Sequence, residues 1–101
     1  MHAYIQDVPV GEELYAKIRA NLGTGPIPGL LLHLVVRRDG GLLRYIDVWE
    51  SEQPYRAFMD GTVEPIVSEV LAGYGIPHDH SLVTFEEVDV IDVWLGTGRA
   101  A

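Results

Sequence analysis

Cysteine is absent from the 101 residues, which excludes disulfides and thiolate-held metals. Positive charge is scarce: seven Lys and Arg stand against fifteen Asp and Glu, for a net charge of −8. A phosphate backbone is gripped by a basic stripe and an anionic membrane by a basic face, so neither nucleic acid nor membrane is an expected partner. Long hydrophobic runs are missing too. The longest, Leu30 to Val36, is interrupted by His33 and falls far short of the roughly 20 residues that a bilayer-spanning helix needs. The opening Met1-His2-Ala3-Tyr4 has neither a basic nor an apolar leader pattern, so no signal peptide is expected and a cytoplasmic protein is. No phosphate-binding loop, dinucleotide fingerprint, nucleophile elbow or zinc-protease motif occurs.

What is present reads as a globular chain, 48% hydrophobic and 22% charged. Its length implies a single domain over residues 1–101. A domain this small buries only about 60–65% of the surface its unfolded chain exposes, so covering a spare apolar face by self-association would help it.

Residues 2–8 read as a first strand, ended by Pro9 and Gly11. Glu12 and Glu13 suit a helix N-terminus, and Leu14, Ile18 and Leu22, with Tyr15 beside them, form an apolar stripe that stops near Gly23. After a Gly/Pro loop, residues 30–36 form a strand that does not alternate, and a strand apolar on both faces expects cover on both. Arg38-Asp39-Gly40-Gly41 predicts a tight hairpin turn, and Leu42 to Glu50 returns as a strand. Ser51 is placed as the N-cap of the next helix, with Pro54 in its first turn. Pro65 predicts a break or kink, giving one helix to about Asp60 and a second from about Val63 to Gly73. Residues 74–80 form a loop and Ser81 to Leu95 a last strand region. There the opposite parities of Val83/Phe85 and Val88/Val90 predict a β-bulge near Glu86-Glu87, and the tail 96–101 is expected to fray. The order is β-α-β-β-α-β, an α+β ferredoxin-like plan with both helices on one face of an antiparallel sheet. The uncovered face then predicts a homodimer packed sheet against sheet.

The run Leu42-Leu43-Arg44-Tyr45-Ile46-Asp47-Val48-Trp49-Glu50-Ser51, leading at once into a helix with Tyr55, Phe58 and Met59 on its inner face, resembles the antibiotic-biosynthesis-monooxygenase-like proteins. The resemblance spans almost the whole chain. It implies a dimeric α+β barrel with a cavity between sheet and helices in each subunit. In haem-degrading relatives the tryptophan at this strand end lines the substrate pocket, and an axial histidine follows in the next helix. Here Tyr55 to Asp60 contains no histidine and the first strand lacks the relatives' asparagine, so haem is not expected. No cofactor is expected at all. The activity implied is cofactor-independent monooxygenation of a small aromatic or polyketide-like compound. The alternative is a non-catalytic homodimer of the same fold that is structural or binds a small aromatic ligand.

Two residues stand out as catalytic candidates. Trp49 is one, against the reading that a tryptophan at such a junction simply packs. His33 is the other, because an imidazole among leucines and valines needs a partner and suits general-base work. Asp47 on the neighbouring strand could supply that partner, although a core histidine bonded to a carbonyl is the plainer reading. Such oxygenases use the substrate's own electrons, which requires a base, a dry pocket and aromatic walls. Tyr4, Tyr45, Tyr55, Phe58 and Tyr74, with Asp47, are the candidate substrate-binding residues. His78-Asp79-His80 has the local look of a metal site but no visible third ligand, so it is read as a solvated loop and no metal is expected. The acidic run 86–92 is read as a solvated edge that discourages aggregation.

Overall fold

The computed structural model describes residues 1–76, 83–96 and 98–99. Its elements are β1 (His2–Val8), α1 (Glu12–Leu22), β2 (Leu30–Arg37), β3 (Leu43–Trp49), α2 (Glu52–Phe58), α3 (Glu64–Gly73), β4 (Thr84–Asp89), β5 (Trp94–Leu95) and β6 (Gly98–Arg99). The first four-stranded sheet runs β2-β3-β1-β4, antiparallel throughout, while β5 and β6 pair only with each other. This is the expected α+β plan, with β2 and β4 as edges. A short 3₁₀ turn, Asp39–Gly41, closes the β2–β3 hairpin, and Gly40 and Gly41 both take positive φ, 85° and 82°. A side chain would be strained at either position.

The registers sort the side chains into rows. On one side lie the row Leu30, Trp49, His2, Asp89, then His33, Asp47, Tyr4, Glu87, and then Val35, Tyr45, Gln6, Phe85. The helices cover this side: Tyr55 of α2 stacks on Tyr4, and Tyr15 of α1 meets His33 and Tyr45. The buried residues Ile18, Leu43 and Val8 continue the core under α1. On the other side lie Leu32, Val48, Ala3 and Val88, and beside them Leu34, Ile46, Ile5 and Glu86. On that side Ala3 and Val48 are buried, at 6% and 8% exposed, whereas Leu34 is 44% exposed: among the described residues, cover there is partial.

Four local expectations are corrected. The expected division before Pro65 is present, α2 ending at Phe58 and α3 starting at Glu64, but the interruption is a π-turn, Met59–Val63, rather than a gap: the Glu64 N–H bonds the Met59 carbonyl five residues back. Pro65 falls in the first turn of α3, where a missing N–H costs little. Ser51 stands at the N-cap of α2 with extended backbone but makes no side-chain cap bond. The bulge near Glu86-Glu87 does not exist, since β4 pairs with β1 in unbroken register from Asp89 to Thr84. Phe85 and Val88 differ in parity because one faces the helices and the other the open side. The real irregularity lies between Leu30 and Leu32 of β2, where the register slips and lets Leu30 pack against the aromatic core. Finally, the last strand is split: β4 ends at Asp89, and residues 98–99 are strand-paired rather than frayed. The His78-Asp79-His80 segment lies outside the described residues. Among the described residues, no helix is long and apolar enough to cross a membrane.

Candidate functional site

Two clusters occupy the helix-covered side of the sheet, and Asp47 stands between them. The first is aromatic. Tyr4 and Tyr55 stack with ring centroids 3.6 Å apart and planes 9° from parallel. Trp49 meets Tyr55 edge-on at 5.7 Å and Phe58 at 5.8 Å, and Phe85 lies 5.6 Å from Tyr4. Such pairs add about 0.5–1.5 kcal/mol each beyond the area they bury. Trp49 and Tyr4 are each only 1% exposed, and Ile27, Leu30 and Met59 close over them. The Trp49 indole N–H is buried and has no hydrogen-bond partner among the described residues. Two open surface grooves lie elsewhere on the described residues, and Trp49 lines neither.

The second cluster is polar. Because β2 and β3 are antiparallel, His33 and Asp47 are direct register partners, and both point toward α1. The His33 Nδ1 makes a short hydrogen bond to the Asp47 carboxylate, and its Nε2 lies 3.0 Å from the Tyr15 hydroxyl. A carboxylate only accepts, so Nδ1 carries the hydrogen. In the neutral ring that leaves the Nε2 lone pair as the acceptor for the Tyr15 O–H. The result is a continuous chain Tyr15–His33–Asp47 drawn from one helix and two strands. Tyr45 leans against both rings, at 5.5 Å from Tyr15 and 5.9 Å from His33. The His33 side chain is about a third exposed, at 31%, whereas that of Asp47 is 15% exposed.

The phenols around Asp47 are all held protonated. Burial, then the neighbouring Tyr15 and Asp47, push Tyr45 well above its ordinary value. Tyr55 is pushed up to about 12, first by burial and then by Tyr4 and Asp47, with the Gln6 hydrogen bond at 3.2 Å pulling the other way. Burial likewise raises Tyr15, opposed by the Arg19 guanidinium one turn on, and it raises Tyr4, helped by Glu87. These hydroxyls are donors at neutral pH and not phenolate bases.

The structure thus brings His33, Asp47 and Tyr45 together, and separately Trp49, Tyr4, Tyr55 and Phe58. Tyr74 joins neither group among the described residues: it follows the last turn of α3 and is half exposed. Tyr15 is the member that the sequence reading left out. Its signal was a hydroxyl-bearing ring one step from the Leu14/Ile18 stripe of α1, on a helix that must cover the strand carrying the lone histidine. Among the described residues no group of three His, Asp or Glu side chains is arranged to hold a metal.

No protein-family model matches the chain, and no curated protein does. Solved structures do match. A Nitrosomonas europaea protein, named provisionally as an antibiotic biosynthesis monooxygenase, aligns at TM-score 0.64 and 8% identity, over 90% of this chain and 99% of its own. A mutant of MhuD, with two manganese protoporphyrin IX bound per active site, aligns at TM-score 0.59 and 19% identity, over 95% of this chain and 100% of its own. A mutant of SnoaB from Streptomyces nogalater, a cofactor-independent oxygenase, aligns at TM-score 0.51 and 19% identity, over 86% and 87% of the two chains. The fold is that of the antibiotic-biosynthesis-monooxygenase structures, at low sequence identity.

Proposed function

We propose that this chain is a cofactor-independent monooxygenase of a small aromatic or polyketide-like compound, with His33 as its base. The observation that carries this reading is the Tyr15–His33–Asp47 hydrogen-bond chain. Taking a proton from a phenol leaves an electron-rich anion that reacts with dioxygen directly. For an activated methylene the balance is R₂CH₂ + O₂ → R₂C=O + H₂O, with every electron supplied by substrate and oxygen. Asp47 orients the imidazole and stabilises the imidazolium as it forms. SnoaB, named as a cofactor-independent oxygenase on this fold, supports the same reading.

A porphyrin of the kind bound to MhuD does not fit here. Residues 52–63 opposite Trp49 carry no histidine, and Tyr4, Tyr55 and Phe58 already fill the space beside the indole. That same filling supports a packing role for Trp49, and with it the alternative of a non-catalytic homodimer. In either reading the chain pairs with a second copy through the open side of the sheet, where Leu32, Leu34, Ile46 and Ile5 form adjacent apolar rows.

The test is oxygen uptake from a panel of phenols and hydroquinones without added cofactor, for the parent, His33→Ala and His33→Gln. At least ~100-fold slower turnover in both variants is expected for loss of a general base. Equal turnover in all three removes His33 as the base, and no uptake from any compound leaves the non-catalytic dimer as the better account.

A further inference from the structure

The geometry points to Tyr15 as the residue through which the substrate's proton enters the site. The inference rests on the acid–base reading above and names a step within it. His33 has two ring nitrogens and both are engaged, Nδ1 with Asp47 and Nε2 with the Tyr15 hydroxyl. An incoming O–H or acidic C–H therefore finds no free imidazole lone pair. It finds the Tyr15 oxygen, which donates its one hydrogen to His33, accepts from the Arg19 guanidinium and keeps a further lone pair for another.

The step conserves every atom. The substrate's bond to hydrogen breaks as that proton bonds to the Tyr15 oxygen. The Tyr15 O–H breaks as its proton passes to Nε2, and the electron pair stays on the substrate anion. Afterwards Tyr15 is again a neutral phenol, His33 is an imidazolium and Asp47 is its counter-ion. No phenolate needs to persist, which suits a phenol whose burial keeps it protonated.

The local structure holds Tyr15 in place for this. Its backbone N–H bonds the Gly11 carbonyl in the opening turn of α1, and Ile18, one turn on, is buried in the core. Its ring is braced by Tyr45 at 5.5 Å and by the His33 ring at 6.3 Å. Burial raises the Tyr15 phenol, and the Arg19 guanidinium on the next turn opposes that rise, easing release of its proton to Nε2, while Asp47 works against release. A tyrosine needed only to fill space would be served equally by phenylalanine, because the hydroxyl contributes nothing to the ring contacts.

Deuterium exchange separates these roles. β-Tetralone, an aromatic ketone with one acidic benzylic position, is incubated without oxygen in deuterated buffer with the parent, Tyr15→Phe or His33→Gln, and exchange is followed by NMR. Both variants are expected to lose at least ~100-fold in kcat with KM within about threefold, while the melting temperature of Tyr15→Phe stays close to the parent's. Retention of half or more of the exchange by Tyr15→Phe, with loss in His33→Gln, means that His33 takes the proton directly and overturns the proposal. So does a parent that exchanges no faster than buffer. Oxygen uptake on the phenol panel is measured beside it. Exchange that depends on Tyr15 without any uptake defeats the oxygenase reading and leaves Tyr15 standing, whereas uptake unchanged in Tyr15→Phe defeats Tyr15 alone.

Discussion

Gly29→Ala tests whether the corner that encloses Trp49 is as tight as it looks. Gly29 has φ +81°, and a Cβ built on it falls 2.5 Å from Pro54 Cβ, 2.6 Å from Pro54 Cγ and 3.8 Å from the Trp49 ring. Carbon atoms in contact sit about 3.5–4.0 Å apart, so the loop or the first turn of α2 must yield by roughly 1 Å. Neither is free to do so, because the Gly29 carbonyl accepts the Glu50 N–H at 2.8 Å and Pro54 is a rigid ring. Overpacking of this kind costs about 1–3 kcal/mol, and a non-glycine residue at positive φ a further ~1–3 kcal/mol. The gain from a stiffer unfolded chain returns only about 0.4–1 kcal/mol. The net loss is about 1–5.5 kcal/mol, centred near ~3 kcal/mol, against a total of roughly 5–15 kcal/mol for a domain of this kind. At ~4–8 °C per kcal/mol the central value lowers the melting temperature by about 12–24 °C. Two further glycines calibrate the measurement. Gly23→Ala adds a Cβ at φ +82° with nothing within 4 Å, so it should show the backbone cost alone, and Gly25→Ala, also with nothing nearby, should be close to neutral. Thermal unfolding followed by circular dichroism reads all three. A Gly29→Ala shift within about 3 °C of the Gly25→Ala shift would refute the packing argument.

Two other outcomes follow from the sheet. The parent should sediment as a dimer at micromolar concentration and bury at least about 1,200 Å² in total; Leu34→Glu, at a side chain 44% exposed on the open side, should give monomers or unfolded chain, and an intact Leu34→Glu dimer would place the interface elsewhere. On acidification, Asp7 should matter: Arg44 grips its carboxylate with contacts of 2.6 and 3.0 Å and holds its pKa below the ordinary aspartate value. The stability from that pair is present above the unfolded-state value of about 3.9 and is lost as pH falls through the lower folded value. Asp7→Asn should therefore flatten the stability profile below about pH 4 while leaving its shape near neutrality, and an unchanged acid limb would refute the linkage.

Much of this architecture was legible because it depends on periodicity and on turn chemistry. The doubly apolar run at residues 30–36, the Gly40-Gly41 turn and the Leu14/Ile18/Leu22 stripe each specify an element, and together they leave few ways to order the sheet. What escaped were features set by neighbours distant in sequence. The parity change across Glu86-Glu87 read as a bulge because a strand with two differently used faces, Phe85 toward the helices and Val88 toward the open side, has the same local pattern. The slip that does exist, between Leu30 and Leu32, leaves no mark in a run of three identical residues. Pro65 looked like a break because a π-turn, which lets the helix pass a proline, has no compositional signature. Tyr15 was visible as part of α1, but its hydroxyl became significant only once the helix was laid across β2.

The histidine and its carboxylate are a different case, since one register argument joins them. A hairpin closed at Asp39–Gly41 pairs Arg37 with Leu43 and Val35 with Tyr45, and two residues further it must pair His33 with Asp47. Alternation then puts Asp47 on the same side as Trp49, two residues on, and the β1 register sets Tyr4 opposite it. The turn thereby decides that a single carboxylate lies between the aromatic core under α2 and the polar chain under α1. Burial raises the Tyr15, Tyr45 and Tyr55 phenols, and the charge of Asp47 adds to the rise in all three. A carboxylate in that position serves two ends at once. It accepts the His33 Nδ1 hydrogen, so that Nε2 faces Tyr15, and it adds to the burial that keeps the surrounding tyrosines protonated. Were Asp47 moved by one residue along β3, it would point to the open side of the sheet, and neither condition would hold.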